Sequence, residues 1–249
     1  MLAASSNCLS TRKNSELTRE ARGYAAILSG MRKSTRGVLF DLDGTLLDTA
    51  PDMGGALNAL LIEQGLDALS HATIRPHVSR GARALVRLGF GNPPEAIFAE
   101  RVARFLAIYG GRVALETRPF AQIPPVLDAL EQRGIAWGIV TNKPSRLTQP
   151  LLEALGMTSR PRVVVSGDTF PERKPSPMPL LQAALQLGVP PEHCIFLGDA
   201  ECDMQAARAA RMFALGARYG YFASADAPER WPVDAWIDSP GELLDWIAP

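Results

Sequence analysis

The stretch GVLFDLDGTL at residues 37–46 joins a short apolar run to two acidic residues, Asp41 and Asp43. Its first four residues, Gly37–Phe40, have the length and composition of a buried β-strand. In open parallel sheets, ligands bind beyond the carboxyl ends of the strands. The two aspartates therefore lie where a functional site is expected, provided that the rest of the chain forms such a sheet.

Downstream of residue 119, short apolar runs alternate with helical patterns. Helices of about ten residues between strands indicate βαβ units and a parallel sheet. The glycines at Gly134, Gly156 and Gly188 are typical helix stops. The sequence thus predicts an α/β fold whose core is a doubly wound (Rossmann-like) parallel sheet. The expected later strands cover 135–140, 163–165, 194–197, 212–215 and 235–237, and the expected helices cover 124–133, 147–155, 179–187 and 203–210.

Residues 52–118 interrupt this alternation because they contain no convincing strand. Their apolar residues recur instead at helical spacing over 53–64, 82–88 and 97–109. Such a block directly after the first strand is most simply a small inserted α-helical subdomain over the edge of the sheet. The expected division is a core domain of residues 36–51 and 119–249 and a helical domain of residues 52–118.

The charges of the 249-residue chain balance overall, with 26 basic and 26 acidic side chains, but they do not balance locally. Residues 1–36 carry seven basic and two acidic side chains, whereas the remainder carries 19 basic and 24 acidic ones. The net negative charge of residues 37–249 argues against nucleic acid as a partner, because phosphate backbones require positive charge opposite them. Residues 1–35 show no sustained pattern and are predicted to be a disordered leader, and Met31 offers an alternative start of translation.

Cysteine use and hydropathy indicate the compartment. The three cysteines form no CxxC pair, which favours a reducing compartment over a disulfide framework. The chain has no run of about 18 apolar residues that would span a membrane. The apolar run Ala25–Leu28 is too short for a secretory signal. We expect a cytoplasmic protein that acts on a small molecule, and the sequence leaves open whether it is a monomer or a homodimer.

Polar residues also follow the later strands at the expected edge of the sheet. Carboxylates gathered within a few ångströms raise one another's pKa unless a counter-charge is present. A Mg²⁺ ion bound by oxygen ligands would supply this counter-charge, and together with a nearby lysine it would attract a phosphate group. The residues that we expect to converge there with Asp41 and Asp43 are Thr141, Asn142, Lys174, Asp199 and Asp203.

The tract FDLDGTL at residues 40–46 closely resembles the DxDGT signature of haloacid dehalogenase-type phosphatases. Further motifs of this family follow in the same order, with Thr141 at the second, Lys174 at the third and GDAECD at residues 198–203 at the fourth. The resemblance covers about residues 36–248. It implies that the helical insert is a cap that excludes water and selects the substrate.

The resemblance also implies roles for the matched residues. Asp41 would attack phosphorus to form an aspartyl-phosphate, and Asp43 would protonate the leaving oxygen and then activate water. Mg²⁺ would be held by Asp41, the backbone carbonyl of Asp43 and Asp199, with Asp203 close by. Thr141, Asn142, Lys174 and Gly44 would bind the phosphate, since a glycine lets the backbone approach it. In the cap, Arg80 and Arg83 are candidates for binding a substrate carboxylate, and solvated helix charges are the alternative.

The tracts at 48–52, 140–144 and 218–221 are similar to bacterial phosphoglycolate phosphatases, and the N-acetylmuramic acid 6-phosphate phosphatases of cell-wall recycling share them. 2-Phosphoglycolate is therefore the expected substrate and N-acetylmuramic acid 6-phosphate the alternative. A sugar-phosphate mutase on the same scaffold and a catalytically inactive binding module are further alternatives, the second being opposed by the intact set of motif residues. A calcium loop is disfavoured because the tract follows a strand and position 50 is Ala50 rather than Glu.

Overall fold

The computed structural model describes residue 30, residues 35–223 and residues 226–248. The predicted leader, residues 1–35, lies outside the described residues except for Gly30 and Thr35. Met31 and Cys8 lie outside them as well. Among the described helices, none combines the length and the apolar composition that crossing a lipid bilayer requires.

Six strands form one parallel sheet, which confirms the predicted α/β, doubly wound fold class. Their order is β5 (Val163–Val165), β4 (Ala136–Val140), β1 (Gly37–Phe40), β6 (Cys194–Gly198), β7 (Phe213–Ala217) and β8 (Ala235–Ile237). Phe40 of β1 is in register with Ile139 of β4 on one side and with Leu197 of β6 on the other. The chain therefore runs outward from β1 in both directions, and the switch point lies at the carboxyl end of β1.

Between β1 and β4 the chain forms a block of helices that a two-stranded ribbon connects to the sheet. In this ribbon, β2 (Leu47–Asp48) pairs antiparallel with β3 (Arg118–Pro119). The structure differs here from the expectation of no strand in 52–118, because a two-residue strand that ends in proline has no detectable alternation. The helices of the block are α1 (Ala50–Glu63), α2 (His71–Ile74), α3 (Gly81–Phe90) and α4 (Glu95–Gly110), with a 3₁₀ helix at Arg75–Arg80.

The helical block packs through the apolar stripe that its sequence spacing predicts. Leu57, Leu60 and Leu61 of α1 are buried. In α4, the rings of Phe105 and Tyr109 stack with their centroids 6.2 Å apart. The last turn of α4 thus holds a tyrosine hydroxyl in a buried position, where it needs a hydrogen-bond partner.

Asp52 fixes the junction between this block and the ribbon. Its buried carboxylate accepts hydrogen bonds from the backbone N–H and the hydroxyl of Thr117, at 2.8 and 2.7 Å, and from the N–H of Glu116 at 3.1 Å. Since a buried carboxylate is costly unless it is well hydrogen-bonded, these contacts hold the beginning of α1 against the segment that leads into β3.

Helices cover both faces of the sheet because successive side chains of a strand point to opposite faces. Val38 and Phe40 of β1 share an apolar cluster with α5 (Ile123–Gln132) and α6 (Ser145–Ala154). Leu39 shares a second cluster with α7 (Met178–Leu187) and α8 (Glu201–Ala209). With both faces covered, the carboxyl ends of the strands are where polar side chains can gather.

The bounds of β1, β5 and β8 match the predicted ones, and those of the other predicted strands and helices differ by one to three residues. For example, α6 begins at Ser145 rather than at Leu147, and α8 begins at Glu201 rather than at Asp203. The carboxylate of Asp203 stabilises the first turn of α8 from inside the helix, because it accepts the N–H of Ala200 at 3.0 Å.

Candidate active site

Asp41, Asp199 and Asp203 meet at the carboxyl ends of β1 and β6. Each offers a carboxylate oxygen, and these oxygens lie within 4.8 Å of one another. All three residues are buried. The fold brings them together because β1 and β6 are neighbouring strands and Asp203 lies in the first turn of the helix that follows β6.

Lys174 reaches this cluster from the loop after β5. Its buried Nζ donates to Oδ1 of Asp41 at 2.8 Å and to the carbonyl oxygen of Val140 at 2.9 Å, and it lies 2.7 Å from Oδ1 of Asp203. Burial alone would lower the pKa of Lys174, but Asp203 and Asp41 outweigh it and raise this pKa above its usual range. The lysine therefore stays charged between two carboxylates.

Asp199 has a different environment, because within the described residues its oxygens meet neutral donors. Oδ1 accepts from the hydroxyl of Thr45 at 3.0 Å, and Oδ2 accepts from the hydroxyl of Ser79 at 2.6 Å and from the N–H of Tyr221 at 2.8 Å. Burial, followed by the charges of Asp41 and Asp203, raises the pKa of Asp199 to about 8. Among the described residues, no hydrogen bond or ion pair brings a positive charge to this carboxylate.

The charge of the cluster fits a hard divalent cation. Burial raises the pKa of Asp41 to about 6, against the lowering effect of Lys174 and with a further rise from Asp203. In the part of the chain that the structure describes, Lys174 is the cation that forms ion pairs within this cluster of three buried carboxylates. Mg²⁺ is the kind of ion that takes carboxylate oxygens together with waters and phosphate. Asp41, Asp199 and Asp203 are the residues that could hold it.

The carboxylate of Asp43 lies outside this cluster and is paired with Lys143. Nζ of Lys143 donates to Oδ1 of Asp43 at 2.9 Å, to Oδ2 at 3.2 Å and to the hydroxyl oxygen of Tyr109 in α4 at 2.8 Å. The carboxylate of Asp43 is therefore engaged by Lys143, and the expected binding of an ion by its backbone carbonyl stays a prediction. The sequence analysis assigned no role to Lys143, although this residue directly follows Thr141 and Asn142. The feature that could have identified Lys143 is its position just after a predicted strand that neighbours the strand before Asp41 and Asp43.

Thr141 and Asn142 support the two lysines. The hydroxyl of Thr141 accepts the N–H of Lys143 at 3.1 Å. The side-chain amide of Asn142 donates to the carbonyl of Lys174 at 2.9 Å and accepts its N–H at 3.1 Å. Asn142 thus holds the loop that carries Lys174, while its contact with phosphate stays a prediction.

Gly44 is required for a reason that the sequence did not show. Its φ of +85° lies in the region that favours glycine, and a Cβ there would lie 2.2 Å from Oδ2 of Asp199. The close approach seen at this glycine is that of a carboxylate, and the expected approach of phosphate to Gly44 stays a prediction. Gly220 leaves room for Asp199 from another direction, because a Cβ added at Gly220 would lie 2.2 Å from Cβ of Asp199.

The two arginines expected to serve a substrate carboxylate both line the site, but each is paired with an acidic residue. Arg80 forms an ion pair with Asp226, which lies between β7 and β8. Arg83 is 56% exposed, lies 2.9 Å from Glu95 and stacks over the ring of Phe98. A substrate carboxylate would therefore have to compete with these acidic partners.

A cavity of about 410 Å³ lies between the helical block and the sheet edge. Its sheet side is charged and its other side is largely apolar, which suits a phosphate group joined to an organic part. The charged side includes Asp41, Asp43, Lys143 and Lys174, and the apolar side includes Met53, Val78, Val102 and Leu106.

The curated proteins to which this chain is similar include relatives with two different named activities. The chain is 44% identical over 217 residues to a phosphoglycolate phosphatase of Xanthomonas campestris pv. campestris, an alignment that covers 86% of this chain and 98% of that protein. It is 40% identical over 215 residues to an N-acetylmuramic acid 6-phosphate phosphatase of Pseudomonas aeruginosa, covering 86% of this chain and 95% of the relative.

The fold has a similar solved structure, and a family model matches most of the chain. The crystal structure of a predicted phosphoglycolate phosphatase from Haemophilus somnus superposes with a TM-score of 0.75 at 27% identity and covers 85% of this chain and 97% of that one. The model of the haloacid dehalogenase-like hydrolases matches residues 38–217, which include the whole carboxylate cluster. The chain therefore belongs to the haloacid dehalogenase-like hydrolase family.

Proposed function

We propose that this protein is a Mg²⁺-dependent phosphomonoester hydrolase that works through an aspartyl-phosphate on Asp41. The observation that carries the proposal is the 2.8 Å contact of Asp41 with Lys174, beside the buried carboxylates of Asp199 and Asp203 at the edge of a cavity. This set supplies a nucleophilic oxygen, a cation for the phosphoryl oxygens and ligands for a metal ion within one site.

In the first step, a carboxylate oxygen of Asp41 attacks phosphorus, and the bond from phosphorus to the leaving oxygen breaks. Asp43 gives its proton to that oxygen, so that the product leaves as a neutral alcohol. In the second step, Asp43 takes a proton from a water molecule that attacks the aspartyl-phosphate, which releases inorganic phosphate and restores Asp41. Lys174 and Thr141 hold the phosphoryl oxygens throughout.

The proposed Mg²⁺ ligands are Asp41, Asp199 and the backbone carbonyl of Asp43, with Asp203 next to them. When bound, the ion supplies positive charge that offsets the charge of the phosphoryl group and of the carboxylates. Thr45 and Ser79 orient Asp199 through their hydroxyls. Such outer hydrogen bonds fix the direction in which a ligand presents its oxygens.

The domain division that we propose is a core of residues 36–51 and 119–249 and a cap of residues 52–118. It is supported by the junction at Asp52 and Thr117 and by the ribbon of β2 and β3. Contacts that join cap and core at the site include the hydrogen bonds from Ser79 to Asp199 and from Lys143 to Tyr109, and the ion pair of Arg80 with Asp226. A cap seated through these contacts would exclude water from the cavity.

The substrate that we propose first is 2-phosphoglycolate. The relative from Xanthomonas campestris supports it, because that phosphoglycolate phosphatase is 44% identical along nearly its full length. The leaving oxygen of this small ester is an alkoxide, which is a poor leaving group and needs an acid such as Asp43.

The location that we propose for the protein is the cytoplasm. The free thiols of Cys194 and Cys202 agree with this reducing compartment.

N-acetylmuramic acid 6-phosphate is the second candidate, and the size of the cavity favours it. A volume of about 410 Å³ exceeds what a phosphorylated two-carbon acid fills and lies in the usual range of sites for larger ligands. The apolar wall of Val78, Val102 and Leu106 would face a sugar ring. The relative from Pseudomonas aeruginosa, 40% identical, is named for this activity.

Phosphate release from both esters, measured as kcat/KM with Mg²⁺ and with EDTA, tests the proposal. We expect hydrolysis of one or both esters, abolished by EDTA and by Asp41→Asn, while the surface variant Asp67→Asn behaves like the wild type. Full activity of Asp41→Asn or equal rates with EDTA would refute the mechanism. Isomerisation of a hexose 1-phosphate without free phosphate would identify a mutase instead.

A further inference from the structure

Lys143 is a buried ammonium group to which neither the family motifs nor the proposed chemistry gives a task. Its side chain is 3% exposed, and its Nζ is hydrogen-bonded to both oxygens of Asp43 and to the hydroxyl oxygen of Tyr109. Burial alone would lower the pKa of Lys143, but Asp43 and then Tyr109 outweigh it and raise this pKa above its usual range. A charged lysine therefore faces the proposed acid and base of the reaction.

The two lysines of the site differ in where their partners come from. Lys174 contacts Asp41, Asp203 and Val140, all of which belong to the sheet and the segments that directly follow its strands. Lys143 contacts Asp43 from the sheet edge but Tyr109 from the last turn of α4. Only the second lysine thus joins an acidic residue of the sheet edge to the helical block.

The backbone of Lys143 is held firmly, so its side chain has a defined origin. Its N–H donates to the hydroxyl of Thr141 at 3.1 Å, and its carbonyl accepts the N–H of Gly167 at 2.8 Å and the hydroxyl of Thr148 at 3.2 Å. The partner at the other end of the side chain is also held in place, because the buried ring of Tyr109 stacks on Phe105. The ammonium therefore lies between two fixed points.

Asp43 has less support of its own. Its side chain is 15% exposed and stands two residues from Asp41, at the edge of the cavity. Without Lys143, its carboxylate would be free to rotate toward solvent or toward a cation held by Asp41 and Asp199. Either rotation would take the carboxyl group away from the leaving oxygen, and proton transfer requires hydrogen-bond distance.

We propose that Lys143 is a positioning residue that holds the carboxyl group of Asp43 at the leaving oxygen, and that Tyr109 makes this position depend on the seating of the helical block. The inference rests on the proposed function, since it concerns the proton donor of that reaction. The contact from Lys143 to Tyr109 would make proton donation by Asp43 effective when α4 lies against the sheet edge. A poor leaving group needs this proton in order to depart.

The test compares two esters of nearly equal size, benzyl phosphate and p-nitrophenyl phosphate. The first has a strongly basic alkoxide as leaving group and requires a proton, whereas the second releases a stable phenolate without one. The value of kcat/KM reports the steps up to leaving-group departure. It is measured for the wild type, for Lys143→Met and for Tyr109→Phe, which removes only the hydroxyl and keeps the ring.

We expect Lys143→Met to lower kcat/KM for benzyl phosphate by about 100-fold or more, the usual contribution of a positioned acid, and to lower it for p-nitrophenyl phosphate by less than about fivefold. Tyr109→Phe should show the same selectivity with a smaller loss. Tyr219→Phe is the matched control, because its hydroxyl donates to the carbonyl of Thr45 at 3.2 Å on another side of the site, and any loss should be equal for both esters.

Equal losses on both esters in Lys143→Met would assign the lysine a purely structural part and overturn the inference, as would unchanged kinetics. Circular dichroism and thermal unfolding show whether each variant is folded. An inactive wild type on every phosphomonoester would instead refute the proposed function, so the two failures are distinguishable. Restoration of activity on benzyl phosphate by Lys143→Arg, relative to Lys143→Met, would further support a positioning cation.

Discussion

The hydroxyl of Ser79 donates a hydrogen bond of 2.6 Å to Oδ2 of Asp199, across 120 residues of sequence. Ser79 lies in the 3₁₀ helix of the inserted block, and Asp199 directly follows β6 of the sheet. The helical block therefore touches a carboxylate whose pKa burial and the charges of Asp41 and Asp203 raise to about 8. The proposed metal site and the contact with the helical block therefore share this one side chain.

The affinity for Mg²⁺ is expected to increase with pH. Burial, Asp41 and Asp203 raise the pKa of Asp199 to about 8, so at lower pH an incoming cation must displace a proton. Each pH unit below that value should weaken binding by up to about tenfold, and the dependence should level off above it. Calorimetric titration with Mg²⁺ over this range measures the effect, and an affinity independent of pH would contradict the prediction.

The metal-free protein is expected to lose stability as the pH rises from about 4 to about 8. An unfolded aspartate titrates near 3.8, whereas Asp199 titrates near 8 when folded, so the folded state binds more protons in this window. Stability falls with pH wherever the folded state is the more protonated one. Thermal unfolding in EDTA should show this slope, and Asp199→Asn should flatten it while Asp67→Asn keeps it.

Removing the ammonium group of Lys174 is expected to destabilise the fold as well as stop turnover. Lys174→Met leaves the buried carboxylates of Asp41 and Asp203 without their shared cation, and breaking a buried pair costs about 3–5 kcal/mol. Urea unfolding of the metal-free variant measures this loss. Arg218→Gln is the control, because its contact with Asp238 is exposed and should contribute little; an equal loss in both variants would refute the prediction.

Two glycines with similar backbone angles should respond very differently to substitution. Gly44→Ala places a Cβ 2.2 Å from Oδ2 of Asp199, and Gly65→Ala meets no atom within 4 Å. Both have positive φ, so both should lose about 1–2 kcal/mol of stability through backbone strain. Only Gly44→Ala should also weaken Mg²⁺ binding, because its Cβ would displace the carboxylate of Asp199. We expect the affinity for Mg²⁺ to fall by about 10-fold or more, which corresponds to about 1.4 kcal/mol. Equal metal affinities in the two variants would contradict the steric argument.

The sheet was predictable because its strands are short apolar runs between helices that end in glycine. The six strands β1 and β4–β8 occur where such runs lie, and Asp41, Asp199 and Asp203 converge because they follow neighbouring strands. The ribbon of β2 and β3 was not predictable, since two-residue strands carry no period. Boundaries shifted because side-chain contacts such as that of Asp203 with Ala200 extend a helix beyond its apolar pattern.

The order of residues alone was enough to predict the α/β class, the convergence of Asp41, Asp199 and Asp203, and the family, because strand ends and spaced acidic motifs are local features of a sequence. Folding had to supply the pairing of Lys143 with Asp43 and Tyr109, the contact of Ser79 with Asp199, and the acidic partners of Arg80 and Arg83. These contacts join segments far apart in the chain. Which side chains meet there depends on how the helical block packs against the sheet, and no local pattern encodes that packing.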